Sequence, residues 1–243
     1  MRYVASRTRP VIYLTIAKAG LTSTLNALLW LDQGRFAADP EDIHRHVGDL
    51  FVTAANAPET LERRLKTDKV FTVVRDPLRR AWSLFNDKAL HEHPHAFPFL
   101  RRRLLRKGAA LDLEAGIEPL REDFLLFLRA VRADVNAARG RPAKINPHWR
   151  PQSLTLRQAA RKRAPDVVCR TETLDADLPA VLRWAGVEDP PPPRRFNEGP
   201  PSPHPPAQVL DHPDVHALAA TIFARDYAML GYPIPGASGD SLS

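Results

Sequence analysis

Val11-Ile-Tyr-Leu-Thr-Ile16 runs through Ala17-Lys-Ala-Gly-Leu-Thr-Ser-Thr24 into Leu25-Asn-Ala-Leu-Leu-Trp-Leu31. The first run is short, β-branched and aromatic. Pro10 bounds it on one side and Lys18 to Gly20 on the other, so it reads as a buried strand. From Thr22 to Leu31 the leucines Leu25, Leu28 and Leu29 fall on one helical face, with Thr or Ser available to cap the start. The unit is strand, small-residue loop, helix. A helix start offers backbone N–H groups without helical acceptors and a partial positive charge. Gly20 lets the backbone approach an anion, Lys18 adds a full charge, and Thr22, Ser23 and Thr24 add hydroxyls. The loop therefore reads as a phosphate cradle. A Walker A loop would place glycines before the lysine and Ser or Thr directly after it. Here Ala19 follows Lys18, a poor fit to a kinase or NTPase.

The pattern recurs along the chain. Lys69-Val-Phe-Thr-Val-Val74 is a second apolar run, followed by Arg75-Asp76-Pro77 and by helical spacing from Leu78 to Leu90. Asp76 suits the N-cap and Pro77 the first helical position, where a missing N–H is no loss. A third run, Asp166 to Arg170, leads through Thr171-Glu-Thr173 into a helix over Asp175 to Ala185, which Gly186 terminates. Strands alternating with helices predict an α/β fold with a central parallel sheet and helices on both faces. Residues 91–150 show no strand signal and read as a mainly helical insertion. The proline-dense stretch 190–206 excludes a regular element. His216 to Leu230 reads as a last helix, and 237–243 as a disordered tail. One domain over 1–236 is the expectation.

Arg75 closes the second strand as Lys18 follows the first. In parallel sheets the carboxyl ends of strands line the ligand crevice, so both cations are expected on one edge. Ser83 shares a helical face with Arg79, four residues away, and reaches back toward Arg75. An arginine fork with a hydroxyl suits a second phosphate.

Composition sets the outer limits. The chain has 243 residues, net charge +7 and pI near 9.9, so anionic partners fit. A single cysteine, Cys169, excludes an internal disulfide framework and a Cys-cluster zinc site. No apolar run approaches the roughly 20 residues that cross a bilayer. Met1 to Pro10 carries no signal-peptide core, which makes a cytoplasmic setting the expectation. No zinc-finger spacing or aromatic-interleaved RNA signature is present. Charge and the loop alone leave two alternatives open, a basic polyanion-binding protein without catalysis and a nucleotide kinase-like enzyme.

Lys18-Ala-Gly-Leu-Thr-Ser-Thr24 resembles the 5′-phosphosulfate loop of sulfotransferases that use 3′-phosphoadenosine 5′-phosphosulfate (PAPS). Val74-Arg-Asp-Pro-Leu-Arg-Arg-Ala-Trp-Ser83 resembles their 3′-phosphate motif. His148-Trp-Arg-Pro-Gln152 and Cys169-Arg-Thr-Glu-Thr-Leu-Asp-Ala-Asp177 resemble segments of the chondroitin and HNK-1 type of carbohydrate sulfotransferase. Ile43-His-Arg-His-Val47 resembles the His-x-His-Val of uronyl 2-O-sulfotransferases. The five patches span about 11 to 232 in the family's order, while Ala17 stands where the family usually has proline.

The resemblance implies a P-loop-NTPase-like three-layer fold, and sulfuryl transfer from PAPS to a hydroxyl, on a carbohydrate or glycolipid, without a metal. Lys18, Ala19, Gly20, Leu21, Thr22, Ser23 and Thr24 would hold the 5′ end, and Arg75 and Ser83 the 3′-phosphate. His46 matches the family's base histidine best and His44 comes second, with Asp42 or Asp49 as carboxylate alternatives. His148, Trp149 and Arg150 are the candidates for acceptor binding. From charge and position, Arg194, Arg195 and Asn197 are expected to close over the nucleotide. His91, His93 and His95 read as a solvated loop, and Glu172 and Asp177 as structural.

Overall fold

The computed structural model describes residues 3–39, 42–191, 194–196 and 199–236. The tail 237–243 and Asn197 lie outside them. In chain order the elements are β1 (Tyr3–Ala5), β2 (Val11–Leu14), α1 (Leu21–Gln33), α2 (Val47–Leu50), α3 (Pro58–Thr67), β3 (Lys69–Val74), α4 (Pro77–Phe85), α5 (Pro98–Leu105), α6 (Ile117–Ala137), α7 (Gln152–Ala160), β4 (Val167–Arg170), α8 (Leu174–Trp184), α9 (Pro206–Leu210), α10 (Pro213–Ile222) and α11 (Ala224–Leu230). Two compact units result: 1–75 with 154–198, and 76–153 with 199–243.

The first unit holds the sheet, in the order β1-β2-β3-β4. β2, β3 and β4 are parallel, with Leu14 opposite Thr72 and Val74 opposite Arg170. The expectation of an all-parallel sheet is corrected at one edge, where β1 runs antiparallel to β2 and pairs Val4 with Tyr13. Three residues followed by Ser6-Arg-Thr-Arg9 are too short and too polar a stretch to stand out as a strand. Tyr13 and Phe71, opposite each other in the register, stack at 5.2 Å. Leu25, Leu28 and Leu29 of α1 and Leu178, Val181 and Leu182 of α8 join them in one buried cluster. These are the apolar positions whose helical spacing the sequence displays, and each fully buried side chain contributes roughly 1.5–3 kcal/mol.

The second unit is helical. Trp82 and Phe85 of α4 pack on Phe124 and Phe127 of α6, with ring centroids 5.2 to 5.7 Å apart. The helix expected over Leu78 to Leu90 is α only to Phe85. It then widens into a π turn over Asn86–Leu90, where the His91 N–H reaches back five residues to the Asn86 carbonyl at 3.3 Å. The last helix is likewise two, α10 and α11, because Phe223 leaves helical geometry between them. The insertion 91–150 carries α5 and α6 and no strand among the described residues. Among those residues no helix is long and apolar enough to cross a membrane.

Candidate active site

The chain leaves β2 at Leu14 and β3 at Val74, adjacent parallel strands. Lys18 follows the first end and Arg75 the second, so both cations stand at the carboxyl edge of the sheet, where open α/β sheets take ligands. Both are half-buried. Thr171 Oγ1 donates to the Val74 carbonyl at 3.0 Å and pins the start of the β4–α8 connection beside Arg75.

Between β2 and α1 the backbone enters the left-handed region twice, at Lys18 (φ 63°) and Gly20 (φ 65°). Such a conformation costs a residue with a Cβ roughly 1–2 kcal/mol, and glycine adopts it freely. A Cβ at Gly20 would sit 2.9 Å from Leu174 Cδ2, so the end of that side chain would have to shift, and in ordinary contact with Val73 Cγ1 at 3.6 Å. Gly20 is the N-cap of α1 and supplies no side-chain cap, and the first turn contains no acidic residue. The first helical bond runs from the Thr24 N–H to the Gly20 carbonyl, at 3.0 Å. The N–H groups of Leu21, Thr22 and Ser23 precede it, so helix geometry gives them no acceptor within α1. An uncapped, acid-free helix start beside a lysine fits an anion.

The three hydroxyls of that turn are engaged differently. Thr24 Oγ1 donates to the Gly20 carbonyl at 2.9 Å, which commits its proton to the helix. Ser23 Oγ accepts the Phe196 N–H at 3.0 Å. Thr22 Oγ1 lies 2.8 Å from His44 Nε2.

That last contact bears on the two histidines. His44 ends a 3₁₀ turn over Asp42–His44, anchored by Ile43 and by Val47 just beyond, both in the core cluster. This anchoring holds the His44 ring against the first turn of α1. His46 precedes α2 and pairs instead with Asp49, at 3.3 Å, with both side chains largely in solvent. The structure therefore brings His44, and not His46, to the cradle. Asp42, one of the carboxylate alternatives, is paired with Arg45 at 3.0 Å.

Beyond Ser23 a small pocket lies against α1, with Ser23, Ala27, Phe36, Leu174, Asp175 and Arg194 in its lining. The Arg194 guanidinium lies over the Phe36 and Phe196 rings, 5.2 and 5.5 Å from their centroids. Arg195 pairs with Asp175 at 2.9 Å. Cys169 is buried, and burial, with the charge of Asp177 adding to it, pushes its thiol up to about 12. It is unsuited to act as a nucleophile. Asp177 accepts the Arg170 N–H and the Thr173 hydroxyl at the start of α8, the structural place expected for it.

In the second unit, Asp76 caps α4 as expected, accepting the Arg79 N–H at 2.8 Å. Ser83 is half-buried on α4, one helical turn beyond Arg79. The segment His148-Trp149-Arg150 is built into the packing. Trp149 and Arg150 are only 6% and 5% exposed. Arg150 donates to the Ile145 carbonyl at 2.9 Å. His148 is half-buried with its ring edge on Phe97, centroids 4.7 Å apart. Arg80, itself 3% exposed, donates to the carbonyls of Pro147, His148 and Arg150 and so clamps the segment. Burial withholds from Trp149 the open ring face that a stacked sugar needs.

Arg80 is the residue that sequence reasoning misses. On a helical wheel it falls opposite Leu78, Trp82 and Phe85, so it reads as a surface arginine. No sequence signal reports a ring of carbonyls arriving from about seventy residues away. His93 Nε2 lies 3.0 Å from Asp87 Oδ1, and among the described residues no group of three or more His, Cys, Asp or Glu is placed to hold a metal ion.

A helix start that fits an anion, with two cations at the same sheet edge, suits a phosphorylated ligand, and comparison with protein families gives the class. Residues 1–233 match the family model described as the sulfotransferase family, and the chain belongs to that family. It includes carbohydrate sulfotransferases of the chondroitin and HNK-1 type, and membership implies a P-loop-like fold and PAPS as co-substrate. Searches of curated proteins and of solved structures returned no match.

Proposed function

We propose that the protein transfers a sulfuryl group from PAPS to a hydroxyl of a carbohydrate or glycolipid acceptor, with His44 as the base. The observation that carries the reading is the uncapped, acid-free start of α1 between Lys18 and Arg75 on one edge of the sheet. The residues present fit the phosphates of the co-substrate: an anion cradle with a lysine, and a second cation, Arg75, for a second phosphate.

PAPS supplies the sulfuryl group and, with loss of the bridging S–O bond, 3′,5′-ADP as leaving group. The N–H groups of Leu21, Thr22 and Ser23 and the Lys18 ammonium stabilise the negative charge at the 5′ end, the sites at which it grows during transfer. Arg75 holds the 3′-phosphate, with Ser83 assigned to it by the family resemblance. His44 takes the proton of the acceptor hydroxyl as the new O–S bond forms, a contribution of roughly 10²–10⁴-fold. Contact with the cradle favours His44 over His46. The acceptor class rests on the carbohydrate resemblance, with half-buried His148 the remaining candidate of its segment for contact with it.

The test is turnover of PAPS against a panel of glycans and glycolipids, with mass spectrometry reading 3′,5′-ADP release and addition of one sulfuryl group. His44→Ala is expected to lower turnover about 100-fold or more while His46→Ala stays within a few-fold. The reverse order would return the base to His46, and absence of any sulfated product across such a panel would count against the acceptor class.

A further inference from the structure

The Thr22 hydroxyl meets His44 in the structure and, on the proposed reading, would meet the bound anion as well. It belongs to the first turn of α1, whose N–H groups form the cradle, and it lies 2.8 Å from His44 Nε2. A hydroxyl has one proton. When that proton points to His44, Nε2 accepts it, the ring carries its own proton on Nδ1, and the Nε2 lone pair is occupied. When an anion fills the cradle, a charged oxygen competes for the same proton, and a hydrogen bond to an ionised acceptor is roughly twice as strong as a neutral one. The proton then turns to the anion.

We infer that Thr22 is a positioning residue that keeps His44 Nε2 occupied until the donor binds and releases it once the cradle is filled. The inference rests on the proposed reading of the cradle and of His44. Its consequence is order: the base becomes competent only after the sulfuryl donor is in place, so an acceptor hydroxyl is not deprotonated before there is a sulfuryl group to receive it.

The surroundings leave Thr22 this role. The protons of the other two hydroxyls of the turn point elsewhere, Thr24 donating to the Gly20 carbonyl at 2.9 Å and Ser23, which accepts the Phe196 N–H, donating to the Phe196 carbonyl at 3.5 Å. Among the described residues, the acids on the neighbouring turns have partners of their own. On the turn that carries His44, Asp42 pairs with Arg45, and on α2 Asp49 pairs with His46. α1 brings no acid in its first turn, and its one acid, Asp32, accepts from Ser6, Arg7 and Thr8 at the far end. Lys18, in the loop before α1, is the cation a bound anion would share.

The experiment is ¹⁵N-edited NMR of the histidine rings, at a pH where His44 is neutral, with and without saturating 3′,5′-ADP, on the full chain. In the wild type, saturation is expected to move the His44 Nε2 resonance away from the position of a hydrogen-bonded acceptor. Thr22→Ser, which keeps the hydroxyl, should reproduce the response. Thr22→Val, close to isosteric, should start near the released position and show a residual response well under half that of the wild type. Binding of 3′,5′-ADP with no His44 response, or an equal response in Thr22→Val, would overturn the inference while leaving the proposed function standing. Failure of the wild type to bind 3′,5′-ADP at all would overturn both. Calorimetry on each variant separates these outcomes, and its two-dimensional amide spectrum reports whether it is folded.

Discussion

Two helix starts in this protein are built in opposite ways. At α1, glycine caps the helix without a side chain, no acid enters the first turn, and a lysine stands in the loop before it. At α7 the equivalent place is already filled. The carboxylate of Asp226, fully buried, accepts the N–H groups of Gln152 and Ser153 at 2.8 Å each. Both segments stand out in the sequence as candidate ligand-binding loops. The proposed anion site turns on this difference: it needs a helix start whose donors the protein has not satisfied for itself. A start closed by an internal carboxylate contributes to stability and repels a second anion, which suits the buried, clamped segment His148 to Gln152 to a structural task.

The contrast can be broken from either side. The larger effect is expected at the filled site. Asp226→Ala would leave two buried N–H groups without acceptors, at about 1–3 kcal/mol each, so urea unfolding should show a loss of about 4 kcal/mol. A loss below about 1 kcal/mol would mean that the start of α7 finds other acceptors. The second effect comes from filling the open site. Leu21→Asp puts a carboxylate at the first position of α1, on a half-buried side chain. It should lower 3′,5′-ADP affinity about 100-fold, about 2.7 kcal/mol, with the melting temperature changed by only a few degrees, because an acid near a helix N-terminus offsets part of the lost apolar contact. Unchanged affinity would show that the nucleotide phosphate does not use this helix start.

The parts of the fold legible in the sequence are those decided by local pattern. Lys69–Val74 is a strand over the residues expected, because a continuous β-branched run between a charge and Arg75-Asp76-Pro77 leaves no other reading. Asp76 and Pro77 open α4 as their side chains dictate. The parts that are not legible are decided by distant partners. β1 is a strand only because Val11–Leu14 pairs with it. Arg80 is buried only because carbonyls from residues 147–150 surround it. The candidate site divides in the same way. Lys18, Gly20 and Arg75 follow from strand ends and a glycine. Which of His44 and His46 meets the cradle depends on how Ile43 and Val47 anchor a turn in the core, which their spacing alone does not reveal.

The central claim is that Lys18 and Arg75 serve one nucleotide from adjacent strand ends, the second reading its ribose phosphate. Calorimetry with 3′,5′-ADP against 5′-AMP, on wild type and Arg75→Ala, tests it most directly. A forked arginine contact to a phosphate predicts that the wild type prefers the bisphosphate by about 100-fold and that the variant retains only a few-fold preference. Equal binding of both nucleotides by the wild type would contradict the account.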